Sequence, residues 1–242
     1  MTYCVGLLLK AGMVLLSDTR TNAGLDNIAT YRKMFTFERP GERVVAIMTA
    51  GNLSVTQTTL ARLAEAAEDP EAEEDRSILK APTMLKVAGL VGDMLSEVMV
   101  ETTGRMDRMH QSASASLIVA GQRKGGPMRM FLVYPEGNFI EATEDTPYLQ
   151  IGEHKYGKPI LDRVVTAETS LADARKAVLL SMDSTLRSNL SVGMPLDLVV
   201  IERDALAISD EQRIEPNDES FAAMSASWSR ALRDAFARIG QG

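Results

Sequence analysis

The sequence predicts an α+β fold of four layers, two antiparallel sheets packed face to face with helix pairs on their outer faces. Three observations carry this expectation. Strand-like segments come in clusters joined by tight turns. Helical segments arrive in consecutive pairs and do not alternate with single strands, which disfavours a doubly wound parallel sheet. No linker and no internal repeat divides the chain, so residues 1–242 read as a single domain.

Residues 3–9 and 13–18 are short apolar runs, and Ala11-Gly12 between them supplies a hairpin turn. Residues 33–38 and 43–49 read as two further strands. Ala50-Gly51-Asn52 then turns the chain into a helix, with Ser54 and Gln57 as a capping box and Leu60, Leu63, Ala64 and Ala67 at helical spacing. The acidic stretch between Glu65 and Asp75, broken by Pro70, reads as a solvated helix end and loop. A second helix covers about 82–103, with Met84, Val87, Val91 and Val98 on one face. A meander of three strands follows at 115–122, 128–134 and 138–143, with Gly-Pro turns between them. Helices at about 154–165 and 170–187 come next, then strands at 196–202 and 205–209. A last helix, 217–239, carries Phe221, Met224, Trp228, Leu232 and Phe236 in a stripe.

Composition narrows the function. Apolar residues make up 45% and charged residues 24%, which excludes a disordered or collagen-like chain. The net charge of −7 argues against nucleic acid as a partner, because phosphate neutralisation needs clustered Lys and Arg. Cys4 is the only cysteine, so no intramolecular disulfide forms and a cysteine-cluster metal site is excluded. With only His110 and His154, a zinc-hydrolase H-E-x-x-H motif is absent, and no metal or cofactor is expected. No apolar run reaches the ~20 residues of a membrane span, and the first residues lack the charge pattern of a secretory signal. The expected location is cytoplasmic.

The chain has no nucleophile elbow, P-loop or dinucleotide fingerprint. Its start is more informative. Thr2 follows Met1, and methionine is commonly removed before a small residue. Thr2 would then carry a free amine beside its own hydroxyl, a base next to a nucleophile. An α-amine has an ordinary pKa near ~8, so a modest downward shift makes it a base at neutral pH. Asp18 closes the second strand and Lys33 opens the third. A cationic Lys33 near the amine would supply that shift, and a carboxylate would hold the lysine in place.

T-Y-C-V-G at 2–6, S-D-T-R-T-N-A-G at 17–24, R-K-M at 32–34 and T-A-G-N-L at 49–53 together resemble proteasome-type N-terminal nucleophile hydrolases. The meander 115–142, the segment 151–157 and the stretch from Ser188 to Val200 fit the same family in the same order. Within the family, the wording resembles the bacterial Anbu, or ancestral β subunit, branch. The peptidase subunit of the bacterial ATP-dependent two-component protease is the runner-up.

The resemblance implies the Ntn-hydrolase sandwich and a threonine peptidase or amidohydrolase acting through an acyl-enzyme ester. Thr2 would be the nucleophile, Asp18 and Lys33 the charged pair, and Gly51 the oxyanion donor. Asn22 and Gly51 would offer main-chain groups to an extended substrate, and Thr49 would line the specificity pocket. The family usually has Ser where this chain has Glu153, and Asp where it has Ser188; Ser191 matches a later family Ser. These departures keep two alternatives open, a self-assembling scaffold with little activity and an amidohydrolase of small amides. Homo-oligomers of ring or open helical form are expected, with the methionines of the second helix as candidate contacts. An ATPase partner is left open.

Overall fold

The computed structural model describes residues 1–22, 28–106 and 113–240. In chain order the elements begin with β1 (Tyr3–Leu9), β2 (Gly12–Asp18), β3 (Arg20–Asn22), β4 (Ile28–Thr30), β5 (Met34–Arg39) and β6 (Arg43–Gly51). Helices α1 (Leu53–Glu68) and α2 (Met84–Met106) follow, then β7 (Ala115–Arg123), β8 (Arg129–Val133), β9 (Phe139–Glu141) and β10 (Tyr148–Gly152). The chain ends with α3 (Lys158–Val164), α4 (Leu171–Ser188), β11 (Leu196–Glu202), β12 (Asp210–Ile214) and α5 (Glu219–Arg238).

The first sheet has the strand order β10-β1-β2-β11-β12, and the second has β5-β6-β7-β8-β9. All their neighbours are antiparallel. A two-stranded ribbon of β3 and β4 stands outside both.

Alternation along each strand explains the layers. On β1, Tyr3, Val5 and Leu7 point to the helices, and Cys4 points to the other sheet. On β2, Val14 and Leu16 face the helices while Met13 and Leu15 face the other sheet. Strands covered on both faces are apolar throughout, which is why these segments read as unbroken runs. The middle core joins Cys4, Met13 and Leu15 to Met48, Ile118 and Met130 of the second sheet. The second sheet's outer face packs Val45, Ile47 and Leu117 against Leu63, Val87 and Leu95 of α1 and α2. The first sheet's outer face meets Leu161 of α3 and Val178 and Met182 of α4. Truncating a central residue such as Leu15 to alanine costs about 2–5 kcal/mol.

Several expectations are corrected. The cap of α1 is Asn52, whose side chain accepts the Val55 N–H at 3.2 Å, and not the Ser54–Gln57 pair. The third helix starts at Lys158, after an N-cap at Gly157, and not at 154. The strand expected at 205–209 lies at 210–214, because Asp204 and Leu206 adopt positive φ and turn the chain first. Strands β3, β4 and β10 have no counterpart among the expected elements. Met84 is in the core, whereas Met94 and Met99 pack on it and stay half-buried.

The stripe on α5 is only half used. Phe221 packs on the first-sheet core, and Arg187 of α4 donates to Ser225 Oγ at 2.7 Å. From Arg230 to Gly240 every residue is exposed, including Leu232, Phe236 and Ile239. Among the described residues no helix is long and apolar enough to cross a membrane.

Candidate active site

The site grows from the first hairpin. Cys4 pairs with Ser17, so the next step of the ladder brings Tyr3 opposite Asp18, beside Thr2. The Tyr3 N–H donates to Asp18 Oδ1 at 3.1 Å. Lys33 immediately precedes β5, and its carbonyl accepts the Thr49 N–H at 2.8 Å, which extends the β5–β6 ladder to it. Its ammonium crosses from the second sheet to the first. It donates to Asp18 Oδ1 at 2.8 Å, to the Arg20 carbonyl at 2.7 Å and to the Met1 carbonyl at 3.4 Å.

The ion pair is buried, with Asp18 0% and Lys33 4% exposed. A buried pair is tolerable only when its remaining hydrogen-bonding capacity is filled. Asp18 meets that condition: Oδ2 accepts the Gly193 N–H at 3.2 Å. Burial pushes the Asp18 carboxyl up, and the Lys33 ammonium with the Tyr3 and Gly193 N–H groups pulls it back. Burial and then the Lys33 charge hold the terminal amine of Met1 below its ordinary value, and Asp18 opposes them. The environment at this end of β1 therefore favours a neutral amine.

A pocket of about 470 Å³ opens here, lined by Thr2, Lys33, Thr49, Gly51 and Gly152, with Leu53 also contributing. Thr2 is 9% exposed. Its carbonyl accepts the Glu153 N–H at 2.7 Å, and a Cβ at Gly152 would collide with that carbonyl. Gly51 has φ +110°, and a Cβ there would run into the Ser114 carbonyl. Only glycine allows β6 to end this close to β7 and still face the pocket.

The structure thus brings together Thr2, Asp18, Lys33, Thr49 and Gly51. Glu153 lies opposite Thr2 across the β1–β10 pair, but its side chain is half-buried and accepts from the Asn189 amide at 3.2 Å. Ser191 donates its N–H to Asn189 Oδ1 at 2.9 Å, within the same loop. Ser188 is exposed at the end of α4 and lines no part of the pocket. Asn22 ends β3 opposite Ile28, so it is placed by its backbone. His154 is exposed, and His110 falls outside the described residues.

Sequence reasoning missed the Gly193 N–H, the Tyr3 N–H and the Arg20 carbonyl. They are main-chain groups, and residue identity gives no signal for them. It also missed Thr21, Leu53 and Thr56 in the lining. Leu53 and Thr56 come from the first turn of α1, where the sequence signals only capping and core packing.

The family model for the proteasome subunit matches residues 2–201. A Gly-1 mutant of Anbu from Hyphomicrobium sp. strain MC1 is 48% identical, covers 100% of this chain and 99% of its own, and superposes with a TM-score of 0.92. Anbu from Yersinia bercovieri is 42% identical, with 99% of each chain covered and a TM-score of 0.92. The structure described as a helical assembly of the Anbu complex from Pseudomonas aeruginosa is 45% identical, with 99% of this chain and 98% of that one covered and a TM-score of 0.93. No curated protein matches. With a family model over most of its length and full-length relatives at these identities, this chain belongs to the proteasome subunit family, in its Anbu, or ancestral β subunit, branch.

Proposed function

We propose that the chain is a threonine-nucleophile hydrolase of peptide or amide bonds, in which removal of Met1 frees the Thr2 amine. One observation carries the reading: the Lys33 ammonium reaches the carbonyl of the very peptide that joins Met1 to Thr2. After that peptide is cut, the same cation faces the new amine and keeps it neutral.

The Thr2 hydroxyl then attacks the substrate carbonyl, and the amine takes its proton. The Gly51 N–H receives the developing oxyanion, the kind of interaction that supplies a large share of such rate enhancements. Collapse expels the leaving amine, which recovers the proton from the Thr2 ammonium. The acyl ester on Thr2 is released by water activated by the same amine. Asp18 and Lys33 position and tune; they do not touch the reacting carbon.

The test is intact mass measurement of the protein from its natural host, followed by labelling with an epoxyketone probe. Loss of Met1 and one probe per chain are expected. Retention of Met1 in every molecule would sink the nucleophile assignment.

Self-assembly is the second element of the reading. The exposed last turns of α5 support it, because Leu232, Phe236 and Ile239 form a stripe that no described residue of this chain covers. The Pseudomonas relative's description as a helical assembly supports an open form over a closed ring. A scaffold with little hydrolysis would show the assembly without the labelling.

A further inference from the structure

A second cavity, about 540 Å³, shares no lining residue with the Thr2 pocket. It runs along the outer edge of β5, the terminal strand of the second sheet. The Thr49 N–H to Lys33 carbonyl bond sets the ladder phase between β5 and β6. Hydrogen-bonded pairs alternate with non-bonded pairs in an antiparallel ladder. Phe35 and Phe37 are therefore bonded to β6, and the N–H and C=O groups of Met34 and Thr36 turn outward into the cavity.

The two walls differ in chemistry. One is apolar and comes from α1, through Leu60, Ala61 and Ala64. The other carries the carboxylates of Asp197 and Glu211 on β11 and β12, and the guanidinium of Arg32, just before β5, also lines the cavity. Asp197 Oδ1 accepts from Arg213 at 3.1 Å, whereas its Oδ2 is buried with no hydrogen-bond partner. Burial pushes the Asp197 carboxyl up, and Arg213 and Arg32 pull against it. Farther along β5 the Ile208 N–H donates to Glu38 Oε2 at 2.8 Å.

An exposed edge strand is a template for pairing. A strand laid on it would send successive side chains to opposite walls. We infer that this groove docks an extended peptide segment of a partner protein, adding a strand to β5 with apolar side chains on the α1 wall and alternate cationic side chains on the Asp197–Glu211 wall. Main-chain bonds to Met34 and Thr36 would give affinity, and the two walls would give specificity. The inference stands apart from hydrolysis at Thr2.

The experiment is fluorescence anisotropy on the assembled full-length protein, with a short labelled peptide alternating valine and lysine. The valine–lysine peptide should bind at least about tenfold tighter than a valine–glutamate peptide. N-methylation should abolish binding at one alternate set of residues and spare the other, the signature of strand pairing. Ala61→Arg, at an exposed helix position, should fill the groove and remove binding with the melting curve intact. Asp197→Asn should weaken the lysine peptide alone. Thr2→Ala should bind it unchanged. Equal binding of both peptides, indifference to Ala61→Arg or uniform N-methyl effects would overturn the inference. So would loss of binding in Thr2→Ala, which assigns the peptide to the catalytic pocket. Dissociation of the oligomer by Ala61→Arg would assign the groove to a second copy and overturn it as well.

Discussion

Lys33 Nζ lies 3.4 Å from the carbonyl oxygen of Met1 and 2.8 Å from Asp18 Oδ1. The ammonium therefore bridges a fixed carboxylate and the peptide whose cleavage would free Thr2. Desolvating an ammonium is costly unless its charge is paired, and Asp18 supplies that pairing here.

Thr2→Ala should abolish covalent labelling without unfolding the protein. The hydroxyl is lost and a methyl group remains on a residue that is already nearly buried. Probe incorporation is read by intact mass, and folding by thermal melting. Labelling that survives in Thr2→Ala would place the nucleophile elsewhere.

Phe236→Asp together with Leu232→Asp should lower the oligomeric mass in light scattering. Both side chains are exposed on the same face of α5, four residues apart. The fold of each subunit should change little, since surface substitutions usually stay within about 0.5 kcal/mol. An unaltered mass would show that the stripe is not a subunit contact.

The sandwich was legible because apolar runs and paired helices are features of order and periodicity. Gly12 and Gly51 marked real turns and strand ends for backbone reasons alone. The strand β10 was not legible. Its pattern Tyr148-Leu149-Gln150-Ile151-Gly152 is short, and its place beside β1 depends on a partner far away in the chain. The site divides in the same way. Thr2, Asp18 and Lys33 are side chains with recognisable chemistry. The Gly193 N–H and the Arg20 carbonyl act through the main chain, so they become visible only when the loop after α4 folds back on β2.

Glu153→Gln should move the pH profile of Thr2 labelling slightly downward. Its backbone holds the Thr2 carbonyl, so the fold around Thr2 survives the change. The residue stands opposite Thr2 across the β1–β10 pair, and a negative charge favours the protonated form of a neighbouring amine. The side chain is partly exposed and engaged by Asn189, so its influence is weak, less than about 1 kcal/mol. The profile is measured from pH 5 to 10; a rise would show that Glu153 acts through shape.

Lys33→Met should separate charge from shape most sharply. The amine must be neutral to take the Thr2 proton. Burial and the Lys33 charge both lower the pKa of an amine at this end of the chain, and Asp18 raises it. Removing the ammonium cancels one lowering influence and leaves burial alone against the carboxylate. The labelling profile should therefore move to higher pH and the rate at pH 7 should fall. Each tenfold gain in the amine's affinity for its proton corresponds to about 1.4 kcal/mol. Lys33→Arg should not restore the profile, because a planar guanidinium cannot donate to Asp18, the Arg20 carbonyl and the Met1 carbonyl from one point. Lys33→Met should also lose stability, by about 3–5 kcal/mol, since it strands a buried carboxylate. Burial already raises the Asp18 carboxyl, and without Lys33 it rises further. An acid whose folded pKa exceeds its unfolded value binds its proton more tightly in the fold. The destabilisation should then be smallest on the acid side and grow as pH rises through the folded pKa of Asp18. Adding Asp18→Asn should remove that pH dependence and recover part of the melting temperature, but leave labelling slow. A profile unchanged in Lys33→Met, with stability lost all the same, would make Lys33 a purely structural partner of Asp18.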